Sequence, residues 1–328
     1  MKSRDLQHLY VKSSHTFYQS AFYTSLFFAL MALSIISWDT GYWYASIGCW
    51  LVQAHIGHIN VLAFHEASHY TLHPRRSVNE LFGIAIGSLT FTPLSAYRYA
   101  HNQHHTHLAS ARDPELWPYS DTSIPRWQRM FAAFAELCCG LFYTPFTFLR
   151  AVLIAERLPQ STRLRLTVEY VLIAMLWGVI LVTVAFLHAW EAFLVGVLIP
   201  FWIAGNLHSL RKFVEHMGLL GDDVASGTRT VVDSTRLGKI VSHSMLHIDF
   251  HGPHHSYAKI PFFRLPEATA LLYSASEPNR ETENFYPSYA AALWDMLKTI
   301  PNPRVGMQWA KSDAASGERE SRFETAAS

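Results

Sequence analysis

Three clusters of histidine have spacing that suits metal ligation: His65-Glu-Ala-Ser-His69, His101-Asn-Gln-His104-His105 and His251-Gly-Pro-His254-His255. In a helix, residues three and four apart share a face, so His65 and His69 point together and His101 joins His104 and His105. In the third cluster Pro253 lacks an N–H, so a helix is expected to start there rather than run through it. His216 is a further candidate. A lone histidine is more often a solvated or core side chain, and His8, His15, His73, His107 and His188 are read that way. Eight histidines in three spaced groups are not decoration. His55 and His58 sit inside an apolar stretch and need polar partners. For them, and for His208, His243 and His247, packing is as good a reading as ligation.

Ligand type and count narrow the metal. Neutral imidazole suits iron, copper, nickel or zinc. Cys49, Cys138 and Cys139 are the only cysteines and form no C-x-x-C pair, so thiolate zinc and redox motifs are not indicated. Structural zinc takes four ligands and catalytic zinc three. Eight or nine histidines are too many for one such ion, so two metals are implied. Neutral ligands leave both ions uncompensated, and carboxylates are expected to accept the outer ring N–H groups. Glu66, Asp113, Glu115, Glu215 and Asp249 adjoin the clusters. An exposed charge is the plain alternative for each.

The elements that must position these groups are apolar helices. Residues 17–37, 41–63, 170–187 and 192–210 are uncharged and of the length that crosses a bilayer. Trp38-Asp39-Thr40 joins the first two, and His188-Ala189-Trp190-Glu191 joins the last two, which is the pattern of two membrane hairpins. Basic residues test the arrangement. Lys2, Arg4 and Lys12 precede the first span, ten arginines lie between residues 75 and 165, and the other thirteen basic residues lie from Arg211 onward. Neither short link carries one. By the positive-inside rule, both termini and the middle segment are cytoplasmic. Tyr42, Trp43, Tyr44 and Trp190 then fall at the outer interface. All three clusters fall on the cytoplasmic side, at or just past span ends. Buried helices of a soluble protein are the rival reading, and the complete segregation of charge argues against it. Stretches 81–97 and 131–149 are also apolar, but each contains a proline and the second contains Glu136. They are read as interfacial or re-entrant helices.

Composition agrees with this placement. Half of the 328 residues are hydrophobic and only 16% are charged, against about 25% in an average soluble protein. The net charge of +1 gives no footprint for nucleic acid. The first apolar run is too long for a signal-peptide core. The expected organisation is a single membrane domain over residues 1–310, with a small, charged, disordered tail at 311–328.

The combined pattern resembles the membrane fatty acid desaturase and hydroxylase family. The resemblance rests on the three histidine boxes, on Asp113-Pro114 after the second, on Glu215-His216, and on Pro261-Phe-Phe-Arg-Leu-Pro266 after the third. It covers most of residues 17–270. It implies an all-α integral membrane fold: four transmembrane helices in two hairpins, interfacial helices, and a cytosolic helical cap holding a di-iron centre. The implied ligands are His65, His69, His101, His104, His105, His216, His251, His254 and His255. Two departures stand out. The first box has three intervening residues where some relatives have four. Lys212 occupies the place where some animal acyl-CoA desaturases carry an asparagine that holds a metal-bound water. No haem-binding His-Pro-Gly-Gly motif is present, so a fused cytochrome b5 domain is not expected; no fused flavin domain is expected either.

The implied activity is O2-dependent attack on an unactivated C–H bond of a lipid or fatty acyl chain, with desaturation first. A hydroxylase, ketolase or oxidative decarboxylase on the same scaffold is the alternative. A haem-binding electron carrier or a transporter is a second alternative, and it predicts histidines paired mid-membrane on different spans. An external electron donor of ferredoxin, rubredoxin or cytochrome b5 type, with its reductase, is expected, in a bacterial inner membrane or endoplasmic reticulum. Tyr97, Tyr99, Trp117, Trp127 and Phe250 are candidate lining aromatics. Arg98, Arg112, Arg211 and Lys212 are candidate headgroup ligands.

Overall fold

The protein is described by a computed structural model over residues 3–108, 112–121, 123–155, 158–219, 224–274 and 284–299. The expected tail at 311–328 lies outside the described residues. After a short 3-10 helix, Ser3–Tyr10, the apolar runs fold as long helices: α1 (His15–Asp39) and α2 (Trp43–Ser68), then α3 (Arg76–Leu89), α4 (Leu94–His107), α5 (Arg126–Leu153) and α6 (Gln160–Phe186). Next come α7 (Trp190–Phe193), a π-helical stretch at Leu194–Leu198, and α8 (Ile199–His216). The remainder is short: α9 (Val224–Gly227), β1 (Arg229–Val231), α10 (Arg236–Ser244), α11 (His251–Ser256), α12 (Leu265–Ser274), β2 (Asn284–Tyr286) and α13 (Tyr289–Thr299).

Among the described residues, five helices are long and apolar enough to cross a membrane. Four overlap the expected spans, although α2 begins two residues late and α6 ends one residue early. The fifth is α5, which covers the stretch read as interfacial or re-entrant. Neither Pro145 nor Glu136 ends it. The backbone breaks instead at Cys139, whose φ and ψ of −133° and 34° are not helical. That break frees the Gly140 N–H to donate to Asn206 Oδ1 at 3.0 Å. Glu136 is fully buried because Lys212 and Tyr119 both reach its carboxylate. Such pairing is what a buried charge requires. The other doubtful stretch, 81–97, is not one helix. α3 stops at Leu89 and α4 starts after Pro93.

α2 sits at the centre, packing on α1, α3 and α8, and α8 packs in turn on α5. Large apolar side chains on α1, α5 and α6, such as Phe22, Phe134 and Val182, face outward. That is expected of helices whose solvent is lipid. The α5–α8 crossing is close: a Cβ on Gly140 would lie 2.4 Å from the Gly205 carbonyl oxygen. Small residues there let two backbones approach.

One element departs from the all-helical expectation. β1 and β2 pair as a two-stranded parallel sheet, with Thr230 opposite Phe285. The run Thr228-Arg-Thr-Val-Val232 is β-branched apart from Arg229, which favours extended backbone. The strand buttresses the third histidine cluster, because Thr230 Oγ1 accepts a hydrogen bond from the Gly252 N–H at 3.0 Å. α11 itself starts at His251, two residues ahead of the expected start, so Pro253 lies in its first turn, where its missing N–H costs nothing.

Candidate metal centre

The three clusters and His216 converge. His65 lies in the last turn of α2, and His69 closes that helix. His101, His104 and His105 lie in the second half of α4. His216 ends α8, and His251, His254 and His255 line α11. His65, His69, His101, His105 and His254 form one group that could hold a metal ion. His104, His216 and His255 form a second, which overlaps a set of Glu215, His216 and His251. The groups adjoin, with the rings of His105 and His255 stacked at 4.3 Å between centroids.

The nitrogens that face inward are the Nε2 atoms. His101 Nε2 lies 3.0 Å from Nε2 of both His69 and His105. His251 Nε2 lies 2.8 Å from His216 Nε2 and 3.0 Å from His255 Nε2. On several rings the outer nitrogen is already engaged. His101 Nδ1 meets Glu115 at 2.8 Å, His104 Nδ1 meets Asp113 at 2.7 Å, and His216 Nδ1 meets the Gly227 carbonyl at 3.2 Å. A carbonyl only accepts, so His216 donates from Nδ1 and its Nε2 keeps a bare lone pair. Both nitrogens of His254 are buried without a hydrogen-bond partner. Convergent lone pairs on buried rings repel one another, and a cation among them satisfies them all. These residues therefore fit two metal ions.

Electrostatics point the same way. Burial, and then the neighbouring rings and cations, hold His101, His105, His251, His254 and His255 below the usual imidazole range. Burial, then Arg98 and Lys259, push His69 down to about 3. Each of these shifts favours the neutral ring, the state a metal ligand requires. Burial opposes the charge of His104 too, but Asp113 and Glu115 outweigh it and raise its pKa. Burial raises Glu115 to about 7 against the pull of His104.

The five expected carboxylates divide. Asp113 and Glu115 hold outer ring nitrogens. Glu66 Oε1 is 3.7 Å from His65 Nδ1, and its Oε2 accepts from the Thr71 hydroxyl at 2.7 Å. Asp249 accepts from the Ser242 hydroxyl at 2.8 Å rather than from a box histidine. Glu215 faces the inner side of the second group, 3.5 Å from His251 Nε2.

The four basic candidates also divide. Lys212 is buried and Arg211 nearly so, both lining the metal cavity, with Arg211 paired with Glu215 and Lys212 with Glu136 at 2.5 Å. Arg98 donates to Ser68 O at 3.0 Å and pairs with Glu80 at 3.2 Å, while Arg112 is exposed. Of the aromatics, Tyr97 lies over His101 with centroids 5.0 Å apart. Trp117 packs under Arg150, and Trp127 is exposed.

Sequence reasoning did not single out Arg229. Its side chain is fully buried, pairs with Asp295 at 2.9 Å, and donates to the carbonyls of Val214 and Met217 at the end of α8. That end carries His216, and a cation there suits the helix dipole. One cross-span pair also exists: His58 of α2 and His208 of α8 lie 6.0 Å apart between ring centroids.

The metal cavity adjoins an apolar one. Tyr97, Thr144, Phe148 and His208 line both it and an apolar cavity of about 50 Å³ between α2, α5 and α8. Gly57, Thr90 and Phe201 separate that space from a second apolar cavity of about 190 Å³, lined by Phe27, Met31 and Trp177 among others.

Comparison with known proteins adds one result. The family described as fatty acid desaturase matches residues 41–287. No curated protein matches the chain.

Proposed function

Because the chain belongs to the fatty acid desaturase family, we propose that it is a membrane oxidoreductase that removes hydrogen from an unactivated methylene of a fatty acyl or other lipid chain. It uses two irons and O2 to do so. The observation that carries this reading is that Tyr97, Phe148 and His208 line both the metal cavity and the apolar cavity beside it. A hydrocarbon chain suits that apolar lining, and a polar metabolite does not.

Bound at the two donor groups, iron would supply the O2-derived oxidant that this chemistry demands. His65, His69, His101, His105 and His254 would hold one ion, and His104, His216, His251 and His255 the other. The surrounding residues orient and exclude. Asp113 and Glu115 fix two rings so that Nε2 faces inward. Tyr97 and Phe148 close the wall against water and place the chain beside the donors.

Loss of a second hydrogen from the adjacent carbon gives an alkene, and return of oxygen gives an alcohol. Desaturation is our first reading and hydroxylation the second, with ketolation and oxidative decarboxylation on the same scaffold. Electrons come from an external ferredoxin, rubredoxin or cytochrome b5 type donor. The histidine face and both termini lie on the cytoplasmic side. The haem alternative has only the His58–His208 pair in its favour among the described residues.

The test is lipid and metabolite profiling of a host that expresses the chain with a reductase partner. New unsaturated or hydroxylated chains, with two irons per chain and no Soret band, are the expected result. A Soret band with one haem per chain would sink the di-iron reading.

A further inference from the structure

Nine histidines divide unevenly between the two positions, five to the first group and four to the second. We propose that the carboxylate of Glu215 is itself a ligand of the second metal and makes its fifth protein donor. The proposal rests on the two-metal reading above.

The geometry sets Glu215 apart from the other acids. Asp113, Glu115 and Glu66 address Nδ1 atoms, the outer nitrogens of their rings. Asp249 addresses a serine. Glu215 Oε2 instead lies 3.5 Å from His251 Nε2, the atom that also lies 2.8 Å from His216 Nε2. One oxygen of Glu215 and one nitrogen each of His216 and His251 fall within 4.8 Å of one another. That is the separation of donors around a single ion. Glu215 is 2% exposed, so no solvent competes for its inward lone pairs.

Arg211 accompanies it. Its Nη1 reaches both carboxylate oxygens. A carboxylate has about four lone-pair sites, so the guanidinium leaves others free for a metal. Arg211 lies one turn before Glu215 on α8 and fixes the direction of the carboxylate. The two positions then differ in kind. The first is all imidazole, while the second has a hard, anionic oxygen that favours a harder, more oxidised ion.

The competing reading is that Glu215 serves only as the counter-charge of Arg211. The pair can be removed together to separate the two. Apolar replacement of a buried ion pair is often neutral for folding, so Arg211→Met with Glu215→Leu gives a variant without a stranded charge. Wild type, Arg211→Met, Glu215→Gln and the double variant are purified in detergent after growth on 57Fe. Iron per chain and the ferrous Mössbauer spectrum are measured.

Wild type should show two irons in two distinct environments. Glu215→Gln and the double variant should each fall to about one iron per chain, keeping the signal of the first position. Arg211→Met should keep two irons. A double variant with two irons and an unchanged spectrum would overturn the proposal and leave Glu215 as a counter-ion. Wild type lacking two irons would overturn the two-metal reading itself, before any variant is compared.

Discussion

The His104 ring meets Asp113 through Nδ1 at 2.7 Å, and this one bond decides which nitrogen faces the second donor group. Asp113 is held in turn, because its other oxygen accepts from the backbone N–H groups of Glu115 and Leu116 at 3.0 and 3.2 Å. The loop after α4 thus aims an acid, and the acid aims the His104 ring. Asp113→Ala should weaken metal binding at the second position by roughly 10–100-fold, the usual cost of losing such a partner. Competition with a graded chelator series measures it. Asp113→Asn keeps an acceptor oxygen and should lose less. Equal affinity in wild type and Asp113→Ala would separate Asp113 from the metal.

His254 lies beside the rings of His65, His69 and His105, at 4.6, 5.2 and 5.0 Å between centroids. His104 lies against His216 and His255, at 4.9 and 4.8 Å. His254→Ala should therefore empty the first position and His104→Ala the second. Both should abolish turnover. Iron analysis beside product assay checks the pair, and full activity in either variant would remove the reading of the boxes as ligands.

The histidine face was legible from spacing because helical periodicity and span ends are local properties. His65 and His69 needed only the end of an apolar run, and His101, His104 and His105 only a helix. The division of labour among acids was not legible. Glu66, Asp113, Glu115, Glu215 and Asp249 look alike beside their clusters, and only long-range packing tells a ring-holding Asp113 from Asp249, which meets Ser242. Arg229 was invisible for the same reason: its partners Val214 and Asp295 are distant in sequence. The continuity of α5 was not legible, because Pro145 and Glu136 are poor membrane residues locally. Their compensation comes from Cys139, Lys212 and Tyr119.

Phe201 stands between the two apolar cavities and stacks on Phe27 at 5.3 Å. Phe201→Ala should join the cavities and favour longer chains, and Phe201→Trp should favour shorter ones. Discrimination worth one to a few methylenes corresponds to a change of roughly 10-fold or more in the ratio of products. Gas chromatography of products from a mixed acyl pool reads it. An unchanged chain-length profile in both variants would place the substrate elsewhere.

Segregation of the basic residues predicts sidedness. A reporter fused after Ser328 should read cytoplasmic, and one inserted in the link at Asp39 should read external. A second pair of fusions tests α5. With both ends of α5 on one side, a reporter in the 112–121 loop and one at Gln160 give the same signal; a full crossing by α5 makes them opposite.

Lys212 sits where it can act on two parts of the centre at once. Its ammonium pairs with Glu136 of α5 and donates to the Glu115 carbonyl at 3.2 Å, on the loop whose carboxylate holds His101. Lys212→Met strands the Glu136 carboxylate with only the Tyr119 hydroxyl, at 2.5 Å, and removes a tie on that loop. Stranding one partner of a buried pair costs about 3–5 kcal/mol, whereas replacing both by apolar groups is often neutral. Lys212→Met should therefore lower the thermal transition in detergent strongly, and Lys212→Met with Glu136→Leu should recover most of it. Iron content separates the two jobs. If the double variant regains its stability but not its iron at the first position, Lys212 positions the Glu115 loop as well as neutralising α5. If both return together, charge balance was its whole contribution. A single variant as stable as wild type would show that water reaches Glu136, contrary to its complete burial.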